Sequence, residues 1–117
     1  MGSSRSRSVD MSGDAAKFVQ EKISANPLVV FSKTRCPYCT LAKQILEKYK
    51  AKFEVIELDD RSDGDEIQSV LGELTGARTV PRVFIGGKCI GGGSDTQALD
   101  KDGSLEGMLK SAGVQLG

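Results

Sequence analysis

The chain has 117 residues, a length that fits one domain with its own hydrophobic core. Sixteen basic residues balance sixteen acidic ones, so charge makes no case for a nucleic-acid partner. Three cysteines are too few, and odd in number, for a secreted disulfide framework, and no apolar run is long enough for a membrane span. A reducing, cytoplasmic compartment is the expectation.

Residues 1–12, MGSSRSRSVDMS, are polar, Ser-rich and basic, and are expected to form a disordered tail ahead of a single domain at 13–117. The opening MGSSRS also fits the N-terminal acylation pattern with Gly2 as acceptor. A cloning remnant or a natural tail, with Met11 as a second start, is the plainer reading. One acyl chain would anchor only marginally, so no stable membrane insertion is expected.

Asp14 or Ser12 is expected to cap a helix carrying Ala15, Val19 and Ile23 on one face, which Asn26-Pro27 ends. LVVF, residues 28–31, predicts a strand buried on both faces. Leu41, Ala42, Ile45, Leu46 and Tyr49 repeat with a helical period. KFEVIEL reads as a second strand and DDRSDGD as a loop. Ile67, Val70, Leu71 and Leu74 define another core helix, with Gly76 placed as its C-cap. RVFIGGKCIGG predicts a hairpin turning at Gly86-Gly87. A last helix buries Leu105, Met108, Leu109 and Ala112. The first two strands need a right-handed crossover and should be parallel, whereas the hairpin is antiparallel. The expected architecture is α/β, a four-stranded mixed sheet flanked by helices.

The chemistry centres on Cys36 and Cys39, in CPYC between the first strand and its helix. A closed zinc site needs four ligands, but the chain has no His and only Cys89 besides this pair. A structural disulfide across so small a loop would constrain the unfolded chain little. Redox chemistry suits the position better: the helix N-terminus favours a thiolate, and Lys33 and Arg35 add positive charge. Pro37 fits the first helical turn. Downstream, Thr79-Val80-Pro81 precedes a strand, where Pro must sit at its start or at an edge. A cis Val80–Pro81 bond would let Val80 present its backbone to an extended peptide; a trans bond would merely start the strand.

CPYC, TVPRVFIGG and GGGSD together resemble the dithiol glutaredoxins, over Ala15 to the C-terminus. The absence of Trp and of CGPC separates the chain from thioredoxins. The resemblance implies the thioredoxin fold, a cis Val80–Pro81 bond, and glutathione-dependent reduction of mixed disulfides and protein disulfides. It makes Cys36 the nucleophile and Cys39 the resolving thiol. Lys33 and Gln68 match positions that contact the glycine-end carboxylate of glutathione, and Tyr38 matches one that packs on the tripeptide. Thr79, Val80 and Pro81 form the backbone platform. Gly93, Ser94 and Asp95 take the γ-glutamyl end at a helix start, although many members carry Cys where Gly93 stands. Gln68 could equally be a solvated helix residue, and Asp95 a plain N-cap. Arg78 and Arg82 could attract the anionic tripeptide or simply be solvated. Cys89 reads as a half-buried strand residue.

Two other functions compete. Some glutaredoxins carry a [2Fe–2S] cluster between two chains, usually with CGFS or a small residue in place of Pro. Pro37 argues against that, and no metal is expected. A general reductase served by thioredoxin reductase would act without glutathione. The expected partners are glutathione and disulfide-bearing proteins, with the chain itself a monomer.

Overall fold

The computed structural model describes residues 10–117. The Gly2 acylation pattern and most of the expected tail lie outside them. Met11 packs on the core ahead of the expected domain start. The elements are α1 (Asp14–Ala25), β1 (Leu28–Ser32), α2 (Pro37–Lys48), β2 (Glu54–Glu57), a 3-10 turn (Leu58–Asp60), α3 (Gly64–Thr75), β3 (Arg82–Ile85), β4 (Lys88–Gly91), α4 (Gly93–Lys101) and α5 (Ser104–Ser111).

The strands form one sheet in the order β2-β1-β3-β4. β2 runs parallel to β1, while β3 and β4 are each antiparallel to their neighbours. This is the mixed four-stranded sheet that the element order required. β1 is central and buried at all five positions, so its side chains alternate between two cores. Val29 and Phe31 join Ile56, Phe84, Val19, Ile67 and Leu71 on the α1/α3 side. Leu28 and Val30 join Val83, Ile85, Ala42, Leu46, Leu105 and Leu109 on the α2/α5 side. Phe31 and Phe84 meet edge to face, with centroids 5.7 Å apart, a favoured aromatic geometry.

Local chemistry explains the turns. Gly86 and Gly87 take φ of 60° and 84°, the twist that a two-residue hairpin needs. Gly76 closes α3 at φ 82° and donates to Gly72 O.

Three expectations need correction. Gly13 occupies the N-cap of α1 without a side-chain cap; Ser12 bonds back to Asp10 instead. Ala15 and Ile23 pack on the core with Val19 as expected but only partly buried, and Ala16 joins Val19 in full burial. Leu74 is 42% exposed, in the last turn of α3. The single C-terminal helix is two helices, broken where Gly103 takes φ 85°.

Candidate active site

The dithiol segment is built by the end of β1 and the start of α2. Cys36 is the N-cap of α2 in an extended conformation, and its Sγ accepts the Cys39 N–H at 3.2 Å. A side chain at this position satisfies one of the helix's free amide donors. Pro37 takes the first helical position, where a missing N–H costs nothing. Cys36 is half-buried, whereas Cys39 is fully buried behind it. Cys39 Sγ accepts the Lys33 N–H at 3.4 Å. All three cysteines are free thiols.

Burial pushes the Cys39 thiol up to about 11, and its hydrogen bond with Cys36 pushes the same way. The Lys33 N–H and the Ser32 side chain pull it back. Cys39 therefore rests as a protonated thiol while Cys36 faces outward.

The facing wall is the segment before β3. Val80–Pro81 is a cis peptide, and the Cys36 thiol lies 3.8 Å from Val80 O. Gln68 Nε2 donates to Arg78 O at 2.6 Å, so the Gln68 amide braces this loop from α3. That contact differs from the solvated helix residue weighed for Gln68.

Tyr38, Thr79, Val80, Pro81, Gly93, Ser94 and Asp95 come together, with Arg82 and Gly92, around a groove of about 300 Å³. Tyr38 is 57% exposed on its rim. Lys33 and Gln68 stand outside this lining, each in a segment bonded to one wall. The start of α4 forms the far wall. There Asp95 Oδ2 accepts the Gly92 N–H at 2.9 Å. Gly91, at φ 113°, leaves room for that carboxylate: a Cβ would fall 2.1 Å from Asp95 Oδ2. A Cβ on Gly93 would lie 2.8 Å from Tyr38 O, so Gly93 lets α4 close on the dithiol loop.

Three features were not foreseen. Arg82 is 9% exposed and its Nε donates to Pro81 O at 3.1 Å, which removes surface solvation as its role. Alternation with Phe84 along β3 carried that signal, since both face the same side. Asp59, in the turn after β2, accepts from the Thr34 N–H and hydroxyl. Those bonds, with the Lys33 charge, hold its carboxyl below the usual carboxylate range. Lys43 on α2 pairs with Glu57 on β2 at 2.8 Å. No local pattern announces either of these two links.

Among the described residues no three His, Cys, Asp or Glu side chains converge as metal ligands, and no helix is long and apolar enough to cross a membrane.

Residues 28–90 match the sequence profile of the family described as Glutaredoxin. A glutaredoxin of Vernicia fordii is 55% identical over 95 residues, covering 81% of this chain and 91% of the relative. Glutaredoxin-C2 of Arabidopsis thaliana is 50% identical over 103 residues, covering 88% and 93%. The structure of a buckwheat glutaredoxin–glutathione complex superposes with a TM-score of 0.82 at 48% identity, covering 85% of this chain and 90% of that one.

Proposed function

The chain belongs to the glutaredoxin family, and from that premise we propose how its residues divide the work of a glutathione-dependent thiol–disulfide oxidoreductase. The fold is the thioredoxin fold of these relatives, and glutathione is the co-substrate.

Cys36 is the nucleophile. Its sulfur attacks the glutathione sulfur of a mixed disulfide; the Cys36–S–S–glutathione bond forms, the substrate's disulfide breaks, and the substrate thiolate leaves and takes a proton. A second glutathione thiolate then attacks the glutathionyl sulfur, releasing glutathione disulfide and the Cys36 thiolate. For a protein disulfide, Cys36 attacks one sulfur, the protein's S–S bond breaks, and its other sulfur leaves as a thiolate and takes a proton. Cys39 then attacks Cys36 Sγ, forming Cys36–Cys39 and releasing the first protein sulfur as a thiol; two glutathione thiols reduce that bond in turn, leaving as glutathione disulfide. The observation that carries this reading is the Cys39 N–H aimed at Cys36 Sγ, at the N-cap of α2 beside the groove. That N–H and the helix dipole offset negative charge on the sulfur.

Thr79 and Val80 offer backbone groups to the tripeptide as a strand edge does, while Pro81 and Tyr38 flank it. The α4 N-terminus with Gly93 and Ser94 suits the γ-glutamyl carboxylate, and Asp95 suits its amine. Lys33 makes no ion pair among the described residues, which leaves it for the glycine-end carboxylate. Gln68 suits the same carboxylate by its amide, one donor of which also braces the platform through Arg78 O.

The protein substrates are glutathionylated or disulfide-bearing proteins. Both halves of the site come from one chain, which supports a monomer. Three free thiols suit the cytoplasm.

The test is reduction of a hydroxyethyl–glutathione mixed disulfide. Turnover is expected with glutathione and glutathione reductase. Turnover driven by thioredoxin reductase without glutathione would overturn the reading.

A further inference from the structure

Arg82 is the one charged side chain that the fold buries among the described residues. None of the five ion pairs there includes it. Its contacts are a carbonyl and a sulfur: Nε donates to Pro81 O at 3.1 Å, and Nη1 lies 4.0 Å from Cys89 Sγ. Nη2 has no partner among the described residues. A buried charge without a counter-charge is unfavourable, and a guanidinium cannot escape by losing its proton. Nη2 is not sealed, however, because the only sealed polar side-chain atom left unmet among the described residues is Glu57 Oε1. The opening lies on the groove, which Arg82 lines with Gly92, Gly93, Ser94 and Asp95. Gly92 lays no side chain over the guanidinium: a Cβ there would fall 3.1 Å from Nη2 and 3.3 Å from Pro81 O. Asp95 is the only acid in the lining. Its carboxylate is held by the Gly92 N–H at 2.9 Å and makes no ion pair with Arg82. Beside Gly92 the groove therefore holds one cation and one anion that do not pair with each other.

We propose that Arg82 is a specificity-determining residue: its buried guanidinium takes the γ-glutamyl carboxylate of glutathione as its counter-charge. This rests on the reading of the groove as the glutathione site. The γ-glutamyl end carries a carboxylate and an ammonium on one carbon, and Arg82 and Asp95 present the complementary pair. The α4 amides add donors for the same carboxylate. A guanidinium–carboxylate contact shielded from water is stronger than one in open solvent. The selectivity follows from what is left unmet. A tripeptide without that carboxylate leaves Arg82 unpaired, and a site with an unpaired buried group rejects the ligand that leaves it so.

The experiment follows adduct formation on Cys36 in Cys39→Ser protein, by acid quench and intact mass. Two symmetrical disulfides are compared: glutathione disulfide, and that of γ-aminobutyryl-cysteinylglycine, which is glutathione without its γ-glutamyl carboxylate. In each, Cys36 Sγ bonds to one tripeptide sulfur, the tripeptide disulfide breaks, and the other tripeptide leaves as a thiolate and takes a proton. Arg82→Gln keeps a donor for Pro81 O and removes the charge. It should slow the reaction with glutathione disulfide by about tenfold, the scale of one charge-assisted hydrogen bond. The rate with the carboxylate-free disulfide should stay as it is with Arg82 in place, which a merely structural role would not allow. Arg82→Lys, which covers a poorly folding Arg82→Gln, keeps the charge but not the fork. It should show a smaller loss, again with glutathione disulfide alone. Equal slowing with both disulfides, or no slowing with glutathione disulfide, would overturn the proposal. If the protein with Arg82 in place forms no adduct on Cys36, the reading of the dithiol fails and this proposal falls with it.

Discussion

Asp59 clasps Thr34. Its two carboxylate oxygens lie 3.1 and 3.0 Å from the Thr34 N–H, and the Thr34 hydroxyl donates to Oδ2 at 2.5 Å. The clasp ties the turn after β2 to the residue between Lys33 and Arg35, and so sets the path of the chain into Cys36.

Removing this clasp should loosen the dithiol loop without unfolding the protein. Asp59→Ala is expected to lower kcat/KM for a glutathione mixed disulfide by about tenfold, the scale of one lost charge-assisted hydrogen bond. Hydrogen exchange at the Thr34 amide should accelerate. The pH dependence has a definite sign. The Asp59 pKa is lowered in the fold, chiefly by the Thr34 bonds. Its contribution is therefore complete above the unfolded value of about 3.9 and is lost as pH falls through the folded value. Thr34 exchange protection that is unaltered by the substitution would contradict the assignment.

Two glycines should respond in opposite directions to alanine. Gly91 has φ 113°, and a Cβ there would meet Asp95 Oδ2 at 2.1 Å. Gly91→Ala is expected to cost about 1–3 kcal/mol, the range for a strained backbone position, and to raise the KM for glutathione by displacing Asp95. Gly107 lies within α5, and a Cβ there would meet nothing within 4 Å. Gly107→Ala should stabilise by about 0.4–1 kcal/mol. Denaturant unfolding measures both, and equal shifts would refute the geometry of the Gly91 turn.

Recognition of glutathione should be separable from the chemistry at sulfur. Asp95→Ala is expected to raise the apparent KM for glutathione about tenfold, since a charge-assisted hydrogen bond at an exposed site contributes roughly 1.5 kcal/mol. Lys33→Ala should act in the same direction. The alkylation rate of Cys36 should barely change in Asp95→Ala. Unchanged glutathione kinetics in both variants would remove these two residues from the site.

Much of this arrangement was legible from local chemistry. Gly86-Gly87, Gly76 and the position of Pro37 each follow from what a single backbone position tolerates. The resemblance carried the cis Val80–Pro81 bond. What stayed hidden depended on partners distant in the chain. The Gln68 amide donates to Arg78 O across the loop after α3, and nothing beside Gln68 signals that. Thr34–Asp59 and Lys43–Glu57 join different elements in the same way. Leu74 keeps the helical period of Ile67, Val70 and Leu71, but it falls in the last turn of α3 and is exposed there. The break between α4 and α5 did have a local sign in Asp102-Gly103. It was masked because Leu99, Leu105 and Leu109 all serve one core.

The most direct test of the account compares Cys36→Ser with Cys39→Ser in glutathione-dependent reduction of a glutathionylated substrate, with intact mass recorded alongside. The account predicts no turnover and no glutathionyl adduct from glutathione disulfide at the active site of Cys36→Ser. Cys39→Ser should retain turnover, carry one glutathionyl group on Cys36, and lose reduction of intramolecular protein disulfides. Appreciable turnover by Cys36→Ser, or loss of mixed-disulfide reduction in Cys39→Ser, would contradict it.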